Sequence, residues 1–348
     1  MPSNRSILFT GSIGLKNEDD VFKELGRSIG RRAKRYPDGE TGSRYYWIRW
    51  VFELFNNHPQ LATVGGNEGV GSFEGQNVIP LFGLAEGVTA KELHFDTLGY
   101  AEVAIASYRK FKTYKLDGAI PSETLFQVSL PTAIALSTTF MDINDRPYIE
   151  PAIEEGLKGD VDAICSAIPG DQLAIQWDVC HEVVAHDGGT GRWVLHYDNI
   201  LEGTLERVCR QLGYIPQDVE AGIHLCYGDP GHAHIVEPED FGTCVALANG
   251  ICLGAPRSVN WIHMPVPRSR DDDVYFRPLK ELQLGPETEL YLGLVHHTDG
   301  VVGTNKRITT AKKYVSDFGI ATECGFGRRP PETIPELLRI HTKVADGS

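Results

Sequence analysis

The chain has 348 residues, of which 41% are hydrophobic and 23% are charged, proportions that are ordinary for a globular protein with a large core. Its 33 basic against 47 acidic residues give a net charge of −14, which opposes binding to nucleic acid or to an anionic membrane by simple attraction. The sequence shows seven cysteines without close pairing and no apolar run of the length that a signal peptide or membrane span needs, so we expect a cytoplasmic protein with reduced thiols.

Apolar runs with β-branched residues alternate along the chain with segments of helical periodicity. Eight strands are predicted, at residues 6–10, 93–97, 124–129, 172–177, 222–226, 258–263, 289–295 and 319–323. Eight helices are predicted between and after them, at residues 18–34, 100–114, 149–167, 200–212, 238–248, 275–282, 304–317 and 334–345. A strand and a helix repeated eight times predict an α/β fold, a single (β/α)8 TIM barrel in one domain spanning residues 1–348.

The first half of the chain is less regular than the second. Residues 45–84 are predicted to form a helix and then a long loop, VGGNEGVGSFEGQN, as an irregular insertion over the barrel mouth. The glycines of this loop fit neither GxGxxG nor GxxxxGK[ST], so a phosphate-binding loop is not indicated. Residues 65–75 would cost much backbone entropy to order, which suits either a lid that closes with substrate or simple turns.

Two predicted strands end in soft metal ligands. His224 and Cys226 lie in GIHLCYGD, and Cys324 lies in ATECGFGRR. Residues i and i+2 share one face of a strand, and the C-terminal ends of barrel strands meet at one mouth, so these three side chains are expected to converge. Two cysteines and one histidine leave the fourth position of a zinc ion open, as in catalytic sites. The alternative is that the cysteines are small buried hydrophobic residues.

Charged residues occur at two further places where such a barrel has its mouth. In RYPDGETGSR, glycines allow a tight turn that can direct Asp38, Glu40 and Arg44 into one cavity, although the same composition also fits a surface turn. Asp178 falls at the end of the predicted strand 172–177.

The segment LYLGLVHHTDG ends another predicted strand with His296, His297 and Asp299. Adjacent residues of a strand point to opposite sides, so one histidine is expected to face the barrel interior and the other to pack. The inward histidine would transfer a proton in catalysis, with Asp299 fixing its tautomer. In HEVVAH, by contrast, His181 and His186 are five residues apart, a spacing that does not bring both to one ion on a helix.

The segments TGSIGL, RYPDGETGSRYYW, LAIQWDVCHE, GIHLCYGD and ATECGFGRR, in this order, resemble the landmarks of the catalytic barrel of cobalamin-independent methionine synthase. That family belongs to a wider group with uroporphyrinogen decarboxylase and zinc-dependent alkyl transferases. The resemblance implies that His224, Cys226 and Cys324 hold zinc and that zinc holds the acceptor thiol. It also implies that Glu40 and Asp178 contact the amino group of an amino-acid-like substrate.

The fourth zinc ligand is left open by the resemblance. His263, in WIHMPVPRSRDDD, stands near the position at which methionine synthases have a glutamate ligand. Either His263 takes the place of that ligand, or the ion keeps a solvent position.

The function that we expect is zinc-dependent transfer of a methyl or larger alkyl group to or from a small thiol. Ordinary folate-dependent methionine synthesis is not expected, because 348 residues leave no room for the second barrel of that family and SLPTAIALSTTF replaces its GPVT segment. The alternative is a lyase, decarboxylase or cyclase that acts on a small organic acid. A binding protein without catalysis is a third possibility, less favoured because so many titratable groups fall at strand ends.

Overall fold

The computed structural model describes residues 6–73, 76–231 and 233–347. The strands within these ranges are β1 (Arg35–Pro37), β2 (Leu61–Phe73), β3 (Gln76–Leu84), β4 (Leu125–Pro131), β5 (Leu173–Val179), β6 (Glu220–Leu225), β7 (Trp261–Pro265), β8 (Glu289–Val295) and β9 (Gly319–Thr322). The helices are α1 (Glu18–Ser28), α2 (Phe52–Asn56), α3 (Tyr100–Leu116), α4 (Ala133–Phe140), α5 (Arg146–Ala167), α6 (His181–His186), α7 (Ile200–Leu212), α8 (Gly242–Gly254), α9 (Asp273–Phe276), α10 (Gly300–Ala311) and α11 (Ile334–Ala345). No helix in the described ranges is long and apolar enough to span a membrane.

The α/β class that the sequence predicts is confirmed. Seven strands form one curled sheet in the order β1-β4-β5-β6-β7-β8-β9, and every neighbouring pair is parallel. The predicted strand at residues 6–10 is instead a segment with single parallel bridges, in which Ile7 pairs with Ala33 beside β1 and with Ile320 in β9. This segment therefore lies between the two edges of the sheet, and it brings them together around one interior.

Charged and aromatic side chains fill this interior at the N-terminal ends of the strands. Arg35 opens β1, is 3% exposed, and forms ion pairs with Glu220 at the start of β6 and Glu289 at the start of β8. Its guanidinium lies 4.1 Å from the ring centroid of Trp261, which packs with Tyr291. Because this end is packed, a cavity inside the sheet can open only at the C-terminal ends of the strands.

The predicted strand at residues 93–97 is wrong. Leu93 and Phe95 are buried while their neighbours are exposed, as in a strand, but the segment has no strand partner among the described residues. Its end is fixed by Asp160 of α5, whose carboxylate accepts the backbone N–H groups of Leu98 and Ala101, both at 2.8 Å. The alternation therefore reflects packing of an irregular segment against a helix, not pairing within a sheet.

The predicted glycine-rich loop is in fact part of an antiparallel hairpin. Strands β2 and β3 pair from Leu61↔Leu84 to Glu68↔Val78, with a register shift along the way. The base of the hairpin is held to the barrel, since the backbone N–H of Asp142 donates to the carbonyl of Phe82 at 2.9 Å. Residues 74 and 75 of the predicted lid, 65–75, lie outside the described residues, and its closure stays a prediction.

Candidate functional site

A cavity of about 380 Å³ opens at the C-terminal ends of the strands. Side chains from several separate segments converge on it, among them Ser12, Glu40, Trp47, Asp178, Cys180, His181, Arg192, Trp193, His224, Cys226, Cys324 and Arg328. The location is the one at which barrels of this type assemble their sites from the loops that follow the strands.

The three predicted soft ligands meet on the wall of this cavity. One ligand atom from each of His224, Cys226 and Cys324 lies within 4.8 Å of the others, and the two sulfurs are 3.4 Å apart. The alternation of β6 brings His224 and Cys226 to one side, and Cys324 follows the end of β9. The predicted convergence of these three residues is confirmed. Their donor set can hold a metal ion.

The surroundings of the two cysteines keep their thiols protonated. The pKa of Cys226 is raised well above its usual value by a hydrogen bond with the Cys180 thiol and by burial. The pKa of Cys324 is likewise raised by its contact with Cys226 and by burial. A bound cation would reverse this preference, because metal coordination stabilises the thiolate.

His263 lies behind His224, outside the group of three ligands. Its Nε2–H donates to the carbonyl of Thr322 at 3.0 Å, and its Nδ1 lies 2.7 Å from Nδ1 of His224. Burial lowers the pKa of His263 to about 4, so its ring is neutral, and in the tautomer with the hydrogen on Nε2 its Nδ1 accepts the hydrogen of His224. Nε2 of His224 is then left with a free lone pair. The contact of His263 is thus with the back of a ligand, an arrangement that orients the ligand ring.

Replacing His263 with phenylalanine is therefore expected to lower metal affinity about 10- to 100-fold, because Nδ1 of His224 loses its acceptor and the ring its fixed tautomer. A competition titration with a chelator measures the effect. His341, also fully buried, bonds the carbonyl of Leu337 and supplies the matched His341→Phe control, which should keep wild-type affinity. Equal affinity in both variants would contradict the orienting role.

Glu40 and Asp178 form a pair of acids inside the cavity. Burial raises the pKa of Glu40 to about 7, and burial together with the Glu40 charge raises the pKa of Asp178 well above its usual value. Asp178 is fixed by two donors, Nε2 of Gln176 at 2.8 Å and Nε1 of Trp47 at 3.2 Å. Two carboxyl groups that are costly to ionise together favour a shared proton or a bound cation such as an ammonium group.

A pH-dependent stability effect follows from the raised pKa of Glu40. The folded protein takes up a proton more readily than the unfolded chain, so this group stabilises the fold below about pH 4.5 and the contribution is lost as the pH rises through about 7. Glu40→Gln has no carboxyl group to titrate, so its stability does not fall in this way as the pH rises. In the metal-free protein we expect the variant to gain up to about 3 kcal/mol relative to wild type between pH 4 and pH 8. Urea unfolding at several pH values tests this, and a pH-independent difference would disprove it.

Asp38 and Arg44 lie behind Glu40, and neither lines the cavity. The two oxygens of Asp38 accept from the Arg44 guanidinium at 3.1 and 2.7 Å, and Oδ1 also accepts the backbone N–H of Glu40 at 2.9 Å. Gly39 and Glu40 have φ of +81° and +48°, a backbone conformation that is strained for glutamate. The ion pair therefore fixes the turn that delivers Glu40, and a substrate contact of Asp38 or Arg44 stays a prediction.

The three residues predicted for proton transfer are not brought to the cavity wall. His296 donates from Nε2 to the carbonyl of Val266 at 2.9 Å, and its Nδ1 lies 3.5 Å from Glu323. Asp299 binds the buried Arg307 through both oxygens, at 2.7 and 2.8 Å. His297 is partly exposed. None of the three lines the described cavity, and their catalytic role stays a prediction without a supporting contact.

The histidine that does line the cavity is His181, at the start of α6. Its ring packs edge-on against Trp47 and Trp193, with centroid distances of 5.7 and 4.6 Å. The hydroxyl of Thr138 donates to a backbone carbonyl, so it accepts the Nδ1–H of His181 at 2.5 Å. Burial lowers the pKa of His181 well below its usual value. The ring is therefore neutral, and with its hydrogen on Nδ1 it carries none on Nε2.

Other cavity residues were also missed from the sequence. Cys180 and His181 follow β5 directly, and residues in this position of a barrel often belong to its site. The spacing in HEVVAH, by contrast, indicates only that the segment is not a zinc-binding helix. Trp47 lies at a kink within the 3₁₀ segment Gly42–Val51, and Arg192 lies in the 3₁₀ segment Gly191–Trp193. Trp47 has φ of +56°, a strained conformation for a large aromatic residue and one typical of functional sites.

No protein-family model and no curated protein matches this sequence. Among solved structures, a B12-independent methionine synthase from Shewanella sp. W3-18-1, in complex with selenomethionine, aligns with a TM-score of 0.64 and 11% identity, over 98% of this chain and 97% of that one. A methyltransferase from Methanosarcina mazei aligns with a TM-score of 0.55 and 9% identity, over 98% of this chain and 94% of that one. A protein from Listeria monocytogenes, assigned as a vitamin-B12 independent methionine synthase, aligns with a TM-score of 0.54 and 14% identity, over 94% of this chain and 86% of that one. The expected likeness to methionine synthase barrels is confirmed for the fold.

Proposed function

We propose that this protein is a single-domain barrel enzyme of the TIM type that transfers a methyl or larger alkyl group to or from a small thiol at a zinc site. The observation that carries the proposal is the convergence of His224, Cys226 and Cys324 on the wall of the same cavity that holds the acid pair Glu40 and Asp178. Soft ligands and paired acids in one pocket suit a ligand that has both a sulfur and a cationic group.

The donor set fits zinc better than the other common divalent ions. Two thiolates and one imidazole are ligands that zinc prefers, whereas magnesium and calcium prefer oxygen. Three protein ligands leave one position for an exogenous thiol, as in catalytic zinc sites. Zinc bound there would supply the means to keep that thiol deprotonated at neutral pH.

The side chains around the cluster position the rest of the substrate. Glu40 and Asp178 hold the ammonium group, and Trp47 keeps one oxygen of Asp178 in place. The neutral His181 carries no hydrogen on Nε2, so in the cavity it can accept a hydrogen bond from a thiol that enters or leaves. The rings of Trp47 and Trp193 cover this histidine and exclude water from it.

The comparisons support the proposal through the fold. Proteins described as methionine synthases and as a methyltransferase share this barrel along nearly all of the chain, and one of those structures holds selenomethionine. An amino-acid-like thiol or thioether is therefore the first substrate class to examine.

Methyl exchange between two sulfurs tests the proposal. Protein is purified without added metal, analysed for metal content, and incubated with an isotope-labelled methyl thioether and a panel of small thiols. We expect about one zinc per chain and label in the methylated thiols, with the released thiol in equal amount. Protein without zinc and without exchange would refute the proposal, and the lyase alternative would then be examined with organic acids.

A further inference from the structure

Arg192 is a cation in the cavity that forms no ion pair with an acid of the described residues. Its Nε and Nη1 are shielded from water and have no hydrogen-bond acceptor in the part of the chain that the structure describes. The guanidinium lies 4.2 Å from the ring centroid of Trp193, which holds its plane in position on the cavity wall. Buried polar groups of folded proteins nearly always have a partner, so these two unpaired nitrogens call for a functional explanation.

The charged side chains near Arg192 increase the cost of its unpaired positive charge. Burial lowers the pKa of Arg192 to about 10, and two nearby cations, Arg49 and Arg146, act in the same direction. Arg146 donates to three backbone carbonyls, those of Met141, Val194 and Thr138. Arg328 also lines the cavity and acts on Arg49 in the same unfavourable sense. Like charges in a desolvated pocket repel each other, and a bound anion would relieve that repulsion.

We propose that Arg192 is an oxyanion subsite, and that the ligand of this cavity carries a carboxylate, sulfonate or phosphate group. The planar fork of arginine matches such groups with paired hydrogen bonds, and Nε and Nη1 of Arg192 have no acceptor in the described residues that a ligand would have to displace. The proposal rests on the proposed function only in taking this anion to be part of the substrate.

A subsite for an anion restricts the kinds of substrate that this cavity can bind. Glu40 and Asp178 offer negative charge, and Arg192 offers positive charge, within the same cavity. Arg192 is also close enough to Cys180 for the two to interact, and Cys180 contacts Cys226 of the ligand group. The anionic group therefore binds near the metal ligands. A short thiol with a terminal oxyanion fits this arrangement, and a long neutral chain does not.

Anion binding is measured on the metal-free protein, so that the result does not depend on zinc or on methyl transfer. Propionate, propane-1-sulfonate and inorganic phosphate are titrated against the fluorescence of the tryptophans, two of which line the cavity, with propionamide as the neutral analogue. We expect a saturable change with at least one oxyanion, no change with propionamide, and an affinity at least about tenfold lower in Arg192→Gln. The preferred anion then separates a planar carboxylate from a tetrahedral group.

Matched variants keep the test interpretable. Arg31→Gln removes an exposed arginine paired with Glu123 and should bind anions as wild type does. Arg192→Gln loses no hydrogen bond from Nε or Nη1, so it should melt at no lower temperature than wild type, and added anion should raise the melting temperature of wild type alone. Equal anion affinity in wild type and Arg192→Gln, or equal binding of propionamide, would overturn the subsite. Anion binding without zinc or methyl exchange would refute the proposed function and leave the subsite intact.

Discussion

Replacing Cys324 with serine is expected to abolish stoichiometric zinc binding and to lower methyl exchange by orders of magnitude. Serine is nearly the same size as cysteine, but its hydroxyl is a poor ligand for a soft site and stays protonated at neutral pH. Cys324 is one of three ligands whose donor atoms lie within 4.8 Å, so its loss leaves a two-ligand site. Metal analysis and the methyl-exchange assay measure the two effects on the same preparation.

Two controls separate loss of metal from loss of fold. Cys244→Ser changes a fully buried cysteine of α8 that contacts the hydroxyl of Tyr227 and is no part of the cluster, so it should keep zinc. Glu40→Gln should keep zinc and lose affinity for substrates with an ammonium group. Full zinc content and full exchange in Cys324→Ser would show that Cys324 neither holds the metal nor takes part in the transfer, and the three-residue site would be wrong.

The barrel strands were predicted best where both faces of a strand are buried. Strand β8 has the predicted bounds, and β4 to β7 and β9 overlap their predicted segments, because central parallel strands appear as continuous apolar runs. β1 has only three residues, Arg35–Pro37, and begins with a charge that is paired inside the barrel, so no apolar run marks it. The hairpin of β2 and β3 was missed because its glycines weaken the alternation that identifies a strand.

In the candidate site, too, some residues could be predicted from the sequence and others could not. The convergence of His224, Cys226 and Cys324 follows from a local rule, since an i,i+2 pair on a strand and a residue after another strand share the mouth of a barrel. The same rule indicated His296 and Asp299, but it cannot show that Val266 and Arg307 offer these side chains other partners. Hydrogen-bond partners distant in sequence decide which strand-end residue faces the cavity, and a single sequence does not contain them.

The ion pair of Asp38 and Arg44, behind Glu40, is expected to contribute strongly to the stability of the fold. Asp38 and Arg44 are 8% and 13% exposed at their side chains, and the pair is bidentate. Replacing Asp38 with alanine leaves the Arg44 charge buried without its partner, and such losses typically cost about 3–5 kcal/mol. The backbone N–H of Glu40 loses its acceptor as well, so the strained turn is less well fixed. Urea unfolding of the metal-free protein measures the cost.

Two comparisons decide whether the pair acts on the fold or on the substrate directly. The double variant Asp38→Leu with Arg44→Met removes both charges and should recover much of the lost stability, because the desolvation cost of the lone arginine disappears. Asp273→Ala removes an exposed partner of Lys313 and should cost about 1 kcal/mol or less. The opposite result would be an Asp38→Ala variant that is as stable as wild type but binds ammonium-bearing thiols more weakly. Asp38 would then contact the substrate directly, as the sequence indicated, and would belong to the binding site itself.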